Sequence, residues 1–364
     1  MIEEKKGELF PKEKDGKLKK VFMKKHHWVI LILLLVFLFV IVVGDIFLDK
    51  TYMGDEREIT CGDSTSYGQC SLNSPYFCEN GQLIEKATEC GCPEVLEQNG
   101  DSCISQYQEN AHQVQLNYIQ EGQEFSINFT VYENLTNYLL DLPMSINYEE
   151  NETPSRADFK IRNINEEEQR QLLLPLVIKI QNSVESKIDQ LRMATSIVQH
   201  IDYGYTNKTT SFGNQEINYS RYAYDVVYEQ EGICGEKTEL LLFLLKELGY
   251  DVAFFYYVDE NHESVGVKCS KEFSIGDSGY CFIETTGPSI ISDDSIEYVG
   301  GVKLESSPEV YKISEGISLP LGLKEYKDAK LMTKLRKGEF VLFKDKKLEN
   351  LQQRYGLIEE YNLE

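Results

Sequence analysis

The chain has 364 residues, 41% of them hydrophobic, which is enough for two or three compact units, each with its own core. Its formal net charge of -23 excludes a general nucleic-acid surface, which needs clustered Lys and Arg. The acidity speaks for solubility and self-repulsion, and it names no substrate.

The charge is unevenly placed. Residues 1–27 carry nine Lys against five acidic residues and read as a basic cytoplasmic arm. Trp28 to Gly44, "WVILILLLVFLFVIVVG", holds no charged residue. With Ile46, Phe47 and Leu48, the apolar stretch over 28–48 has about the length a helix needs to cross a bilayer. Lys17, Lys19, Lys20, Lys24 and Lys25 on its N-terminal side place that end in the cytoplasm, with Trp28 at the interface. A cleaved signal peptide is the competing reading. Its apolar region is shorter and ends in small residues, whereas this run ends Val-Val-Gly-Asp. The expectation is a single-pass anchor in the cell membrane, with everything after Lys50 outside the cytoplasm. Asn-x-Ser/Thr triplets at Asn128, Asn134, Asn151, Asn207 and Asn218 suit a glycoprotein in that compartment.

Nine cysteines follow the apolar stretch, at 61, 70, 78, 90, 92, 103, 234, 269 and 281. Six of them lie between Cys61 and Cys103, in a segment over 55–104 too short to bury much apolar area. Three disulfides are the reading preferred outside the cell, with 15 pairings open. Zinc is the alternative, but the only close pair is Cys90-Gly91-Cys92, not Cys-x-x-Cys. The module reads as a stalk or an interaction domain.

Over 105–163 the sequence predicts a small β-rich unit. In "EFSINFTVY", Phe125, Ile127, Phe129 and Val131 alternate with polar residues, the period of a half-buried strand, with Asn128 on the solvent side. From Asn165 the pattern turns helical. Pro175 is expected to break or kink this helix. After it, Val184, Ile188, Leu191, Thr195, Val198 and Ile201 form one stripe at three- and four-residue steps.

"GICGEKTELLLFLLKELGYDV", Gly232 to Val252, sets one cysteine directly before a run that is apolar nearly all round. Such a helix is buried, and Gly249 is placed to stop it. "YDVAFFYYV" reads as a buried strand. Cys234 therefore stands at a helix start, where free N–H groups and the dipole favour a thiolate and could hold an oxyanion. In "NHESVGVKC", His262, Ser264 and Gly266 share one face of a strand. "GYCFIETTGP" is a further strand-like stretch with Glu284 near its centre. A Cys, a His and a carboxylate are the parts for thiol acyl transfer.

The stretches "LRMATSIVQHIDYG", "GICGEKTELLLFLLKELGYDV", "HESVGV" and "CFIETTGP" resemble the transglutaminase-like superfamily, in the microbial branch whose core helix starts Gly-x-Cys. The resemblance covers about 100 residues of 364, under a third of the chain. It implies a papain-like α+β fold for the core over 165–300, with a helix packed on an antiparallel sheet. It also implies that Cys234 is the nucleophile, His262 the base and Glu284 the third member. Where the family usually has Asp, this chain has Glu284. Where an acidic residue often follows the nucleophile, it has Gly235, and its single Trp lies in the apolar stretch.

Cysteine parity agrees. With six cysteines paired in the module and Cys269 with Cys281, Cys234 is the odd one, a reactive thiol or half of an intermolecular bridge. One difficulty attends the second pair. If His262 faces Glu284, Cys281 faces Val265, and Cys269 lies about 13 Å further along the strand. "GDSG" at Gly276 reads as a hairpin turn and not as a nucleophile loop. No phosphate loop or metal-ligand cluster stands out, so no cofactor is expected.

The functional expectation is an anchored, extracytoplasmic thiol acyl-transfer enzyme acting through a thioester on a protein or peptide carbonyl, Gln side chains included. Its acceptor is water, as in a cysteine peptidase or amidase, or an amine, as in a transglutaminase. The alternative is a catalytically inactive surface protein of the same fold that binds through its module and glycans. The segment over 301–364 reads as an extension with a strand in "KGEFVLF" and an amphipathic tail, without assigned chemistry.

Overall fold

The computed structural model describes Trp28 and residues 32–39, 60–143, 145–149, 153–212, 215–295, 297–298 and 302–357. Contacts divide the chain into Met1–Glu58 and Ile59–Glu364. In the first unit, Trp28 and residues 32–39 are helical and exposed. The basic arm, the rest of the span expected at 28–48 and Asn151 lie outside the described residues. Among the described residues no helix is long and apolar enough to cross a membrane.

The second unit begins with the cysteine-rich segment, built on two hairpins, β1 (Tyr76–Glu79) with β2 (Gln82–Glu85) and β3 (Glu97–Asn99) with β4 (Ser102–Ile104). All six cysteines are bridged, as Cys61–Cys78, Cys70–Cys90 and Cys92–Cys103. The segment is docked on the rest of the unit. Asn182 accepts from the Leu83 N–H at 2.8 Å and donates to its carbonyl at 2.9 Å, while Gln190 donates to the Gly62 carbonyl at 2.8 Å.

A long hairpin follows, β5 (Ala111–Gln120) with β6 (Gln123–Tyr132). Phe129 and Val131 are buried, Ile127 is half-buried and Asn128 is exposed, as the alternation predicts, whereas Phe125 near the hairpin turn is exposed. The strand pattern stops at Tyr132. Leu135 and Leu139, four residues apart, are both buried on helix α1 (Glu133–Leu140), and α2 (Arg156–Ile164) follows. The second half of the expected β-rich unit is thus helical.

Pro175 does not break its helix. Helix α3 runs without interruption from Glu167 to Ser183. The missing hydrogen bond and ring clash cost about 3 kcal/mol, but Leu172, Leu173, Leu174, Leu176, Val177, Ile178 and Ile180 around it are all buried. The break falls instead inside the expected stripe. Val184 is extended, and Ser186 caps a new helix, α4 (Lys187–Gln199), by accepting from the Asp189 N–H. Ser-x-x-Asp is an N-cap signal that outranks the apolar spacing here.

After the short helix α5 (Ala223–Glu229) comes the central helix, α6 (Cys234–Glu247). Leu240 to Leu245 have no exposed surface. Gly249 ends the helix with a φ of 89°, which a side chain would strain. Helix α6 packs on a four-stranded antiparallel sheet in the order β9–β8–β7–β10, made of β7 (Val252–Tyr257), β8 (His262–Lys268), β9 (Tyr280–Ile283) and β10 (Glu309–Lys312). The result is a mixed α+β fold.

The β8–β9 register differs from the one that made a Cys269–Cys281 bridge difficult. Cys281 faces Val267 and Ile283 faces Val265, a shift of two residues. This brings Cys269 within 5.8 Å of Cys281, Cα to Cα, and the two are bridged. Both lie on the core side of the sheet with Val265, Val267 and Ile283. Residues 271–277, which include the start of "GDSG", form two short 3₁₀ turns.

The chain ends in helices α7 (Lys324–Arg336) and α8 (Lys344–Tyr355). The strand expected in "KGEFVLF" is a loop between them, and among the described residues no strand pairs with it.

Non-reducing peptide mapping will return four bridges, these same pairs, and one alkylatable thiol at Cys234. Replacing Cys269 and Cys281 together by Ser will lower stability to urea by about 3 kcal/mol, the value for a loop this short.

Candidate active site

The first turn of α6 is polar, and its Glu236 caps the residue before it. Ile233 is extended ahead of the helix, and its N–H is capped by Glu236 Oε2 at 3.0 Å. Glu236 in turn accepts from buried Arg221, which also holds Glu229 and Glu231. Cys234 is the first residue of the helix, is partly exposed and is a free thiol. The N–H groups of a first helical turn have no partner within the helix.

Gly235 leaves room for the Glu263 carboxylate, which would have to shift to admit a side chain there. A Cβ there would sit 2.6 Å from Glu263 Oε2 and 3.4 Å from Lys160 Nζ. Lys160, from α2, bridges Glu239 at 2.9 Å and Glu263 at 2.8 Å and donates to the Gly235 carbonyl at 3.1 Å. Burial lowers its pKa, but the two carboxylates outweigh that and hold it protonated. Lys160 thus ties α2, the helix start and β8 together.

His262 opens β8 and has no exposed surface. Its Nε2 meets Glu284 Oε2 at 2.8 Å, and the Cys234 thiol stands close enough to the ring to affect its charge. The buried Tyr257 ring lies 6.2 Å from the imidazole, centroid to centroid, and covers one side of it. Burial lowers the pKa of His262. The Glu284 charge, the hydrogen bond to Glu284 and the nearby Cys234 outweigh it and raise the pKa to about 10.

Glu284 stands just past the end of β9 and is fully buried. Its Oε1 accepts from the Thr285 N–H at 2.8 Å, the Thr286 N–H at 2.9 Å and the Thr286 hydroxyl at 2.8 Å. Burial raises its pKa, but the His262 charge and these donors more than offset that and lower it below the usual carboxylate value. The three residues singled out in the sequence are therefore brought together, as a thiol, an imidazole and a carboxylate in series.

Two further residues hold this arrangement, and neither was singled out by the sequence reading. Lys237, one turn after Cys234, is fully buried and donates to the Ile201 carbonyl at 2.5 Å and the Thr286 carbonyl at 3.1 Å. Burial lowers its pKa to about 8 against the pull of Glu284 and Asp202. Gln199, the last residue of α4, donates to the Glu284 carbonyl at 2.9 Å and to the Ser289 hydroxyl at 3.0 Å. The available signal was a Lys inside a segment otherwise read as buried. A charge there needs a dedicated partner.

Cys234 opens on a cleft of about 390 Å³. Its walls include Phe159, Arg156, Asn261 and Glu263, and Arg156 pairs with Glu263 at 2.9 Å and stacks 4.0 Å over the Tyr256 ring. A smaller cavity of about 40 Å³ beyond Gln199 and Ser289 does not reach the thiol. Among the described residues no group of three or more His, Cys, Asp or Glu is set to hold a metal ion.

No family model matches the chain, and no curated protein matches it. Two solved structures align with it weakly. A proposed cysteine protease from Cytophaga hutchinsonii aligns at 16% identity and a TM-score of 0.23, over 52% of this chain. The alignment spans 54% of that chain, about half its length. Calcium-bound LapG from Legionella pneumophila aligns at 13% identity and a TM-score of 0.23, over 45% of this chain and 96% of that one. Scores this low decide nothing about what this chain does.

Two outcomes follow from the buried groups. Lys237→Met will cost about 2 kcal/mol in urea unfolding, because it leaves two buried carbonyls without their charged donor. In NMR titrations the His262 ring will stay protonated well above pH 7, and Glu284→Gln will lower its pKa, since burial then acts with less opposition. The raised His262 contributes stability in full below its ordinary 6.5, and loses it as pH rises toward about 10. The lowered Glu284 contributes above its ordinary 4.5, and loses it as pH falls. The melting-temperature gap between wild type and Glu284→Gln will therefore be widest between those two values and will narrow on either side.

Proposed function

We propose that the chain is a thiol acyl-transfer enzyme of the transglutaminase-like kind, held at the membrane by its N-terminal apolar segment with Ile59–Glu364 outside the cytoplasm. One observation carries the reading. The single unbridged cysteine stands at a helix start, open to a cleft, beside an imidazole that a buried carboxylate orients.

In this reading the thiol proton of Cys234 already rests on His262 before substrate arrives, and the sulfur attacks the carbonyl carbon of a peptide or carboxamide. The imidazolium that results is the partner a thiolate needs, and Glu284 fixes its orientation and offsets its charge. The carbonyl electrons move to oxygen, where the free N–H groups of the first turn of α6 can receive them. Collapse expels the amine, which leaves with the proton from His262, and a thioester remains on Cys234. His262 then takes a proton from the acceptor, water or an amine. The acceptor attacks the thioester and Cys234 is released with its proton restored. No step uses a cofactor.

Support for the compartment comes from the run at 28–48 with its flanking lysines and from the four bridges, which persist where conditions are oxidising. Protein or peptide is the proposed substrate, because the cleft is an open, mixed-charge surface and not a closed small-molecule pocket.

The test is alkylation of the unreduced full chain at pH 6 and pH 8, followed by peptide mapping, with turnover of a Gln-containing protein assayed by ammonia release and amine incorporation. Cys234 alone will react, already rapidly at pH 6. His262→Ala will slow turnover about 100-fold or more, the contribution of a positioned general base, and Cys234→Ala will abolish it. A Cys234 thiol that is unreactive, or indifferent to His262, would sink the catalytic reading and favour a binding protein of the same fold.

A further inference from the structure

The loop joining α7 to α8 presents apolar side chains to solvent. Gly338 ends α7 with a φ of 65°, and "EFVLF" turns back to α8. Val341 turns inward and packs on the cluster of Ile290, Ala329, Met332, Leu335 and Leu351. Its neighbours point outward, with Phe340 92% exposed, Leu342 60% and Phe343 72%. Phe343 takes a left-handed φ of 58°, unusual for a bulky residue and costly to keep. Three large apolar side chains gathered on one tip mark a contact site.

Charge points to the partner. From Lys334 to Lys347 the chain carries six Lys or Arg against Glu339 and Asp345, a local net of +4 in a molecule of -23. Lys334, Lys337, Lys344 and Lys346 are exposed around the base of the loop, while Arg336 turns inward to Asp293 at 2.7 Å. Shape decides between kinds of surface. A convex apolar tip meets a folded protein only where that protein has a matching pocket, whereas a fluid bilayer needs none. Rings at the headgroup–acyl boundary with lysines reaching up to the headgroups is the usual arrangement of an interfacial segment.

We propose that the 338–343 loop is a wedge that inserts Phe340, Leu342 and Phe343 into an anionic lipid surface, steered there by the surrounding lysines. The attraction is electrostatic at range and apolar on contact, so it needs negatively charged lipid and weakens with salt. It is independent of the chemistry proposed for Cys234.

The chain has a single Trp, Trp28, so Trp28→Phe with Phe340→Trp moves the only indole to the loop. This full-length variant is reconstituted with excess vesicles of phosphatidylglycerol or phosphatidylcholine, with plain or brominated acyl chains. In phosphatidylglycerol the indole emission will shift to the blue and be quenched by the brominated chains. Both effects will be lost in phosphatidylcholine, and in a variant that adds Lys334→Glu, Lys337→Glu, Lys344→Glu and Lys346→Glu. A cooperative thermal melt matching that of the wild type reports that each variant is folded. Water-like emission with full access to iodide in phosphatidylglycerol would overturn the proposal. So would an indole shielded from iodide but untouched by bromine, which would mean that a protein, a second copy or another chain, covers the loop.

Discussion

Everything around the cleft is arranged to keep one carboxylate charged where water cannot reach it. Glu284 has no exposed surface, and an unpaired charge in that position would cost several kcal/mol. It receives four donors instead: the His262 ring, the Thr285 and Thr286 N–H groups and the Thr286 hydroxyl. Three of the four come from the two residues that follow it, so the carboxylate folds its own loop around itself. That loop must then be fixed against the rest of the molecule. Lys237 does so from the helix that carries the thiol, Gln199 from the end of α4, and the Thr238 and Thr285 hydroxyls meet at 3.2 Å. The positive charge of buried Lys237 also compensates the carboxylate, so the same contacts hold position and balance charge.

This makes the cysteine helix, the His strand and the carboxylate loop one mechanical unit. The Cys269–Cys281 bridge closes the hairpin that carries His262 and leads into Glu284, from the core side of the sheet, where it stays clear of both. At the other end of the cleft, Lys160 ties α2 to Gly235, Glu239 and Glu263. Cys234 therefore sits between two buried ionic clusters, one around Glu284 and one around Lys160.

Much of this was legible in the sequence because its signals were strong and local. Seven apolar residues after Cys234 with a glycine stop specify a buried helix, and "YDVAFFYYV" can hardly be anything but an interior strand. Cysteine parity isolated Cys234 before any contact was known. What could not be read depends on tertiary partners. The β8–β9 register was misjudged by two residues because the 269–279 connection folds into 3₁₀ turns whose span no local pattern gives. Pro175 is expected to break or kink its helix because the burial that offsets its cost comes from other elements, which no local pattern shows. The stripe from Val184 to Ile201 was taken as one helix because apolar spacing was counted and the Ser186 cap was not. "EFVLF" has the composition of a strand, but among the described residues no strand pairs with it.

The shifted register also accounts for a glutamate, rather than an aspartate, at position 284. Continuing the ladder from the Val265–Ile283 pair sets Glu284 opposite Ser264, two residues along from His262. The two side chains therefore meet on a diagonal, where backbone positions are about 7–8 Å apart rather than directly opposed. The carboxylate must cover that distance with one oxygen while the other turns back to the N–H groups of Thr285 and Thr286. An aspartate, one methylene shorter, has less reach to satisfy both ends. The longer side chain and the Thr-Thr pair belong together, the first reaching the imidazole and the second anchoring the oxygen left behind. Gly235 follows the same logic on the other side of the thiol. The carboxylate that a side chain there could have supplied is already present as Glu263, close enough that even a Cβ would collide with it.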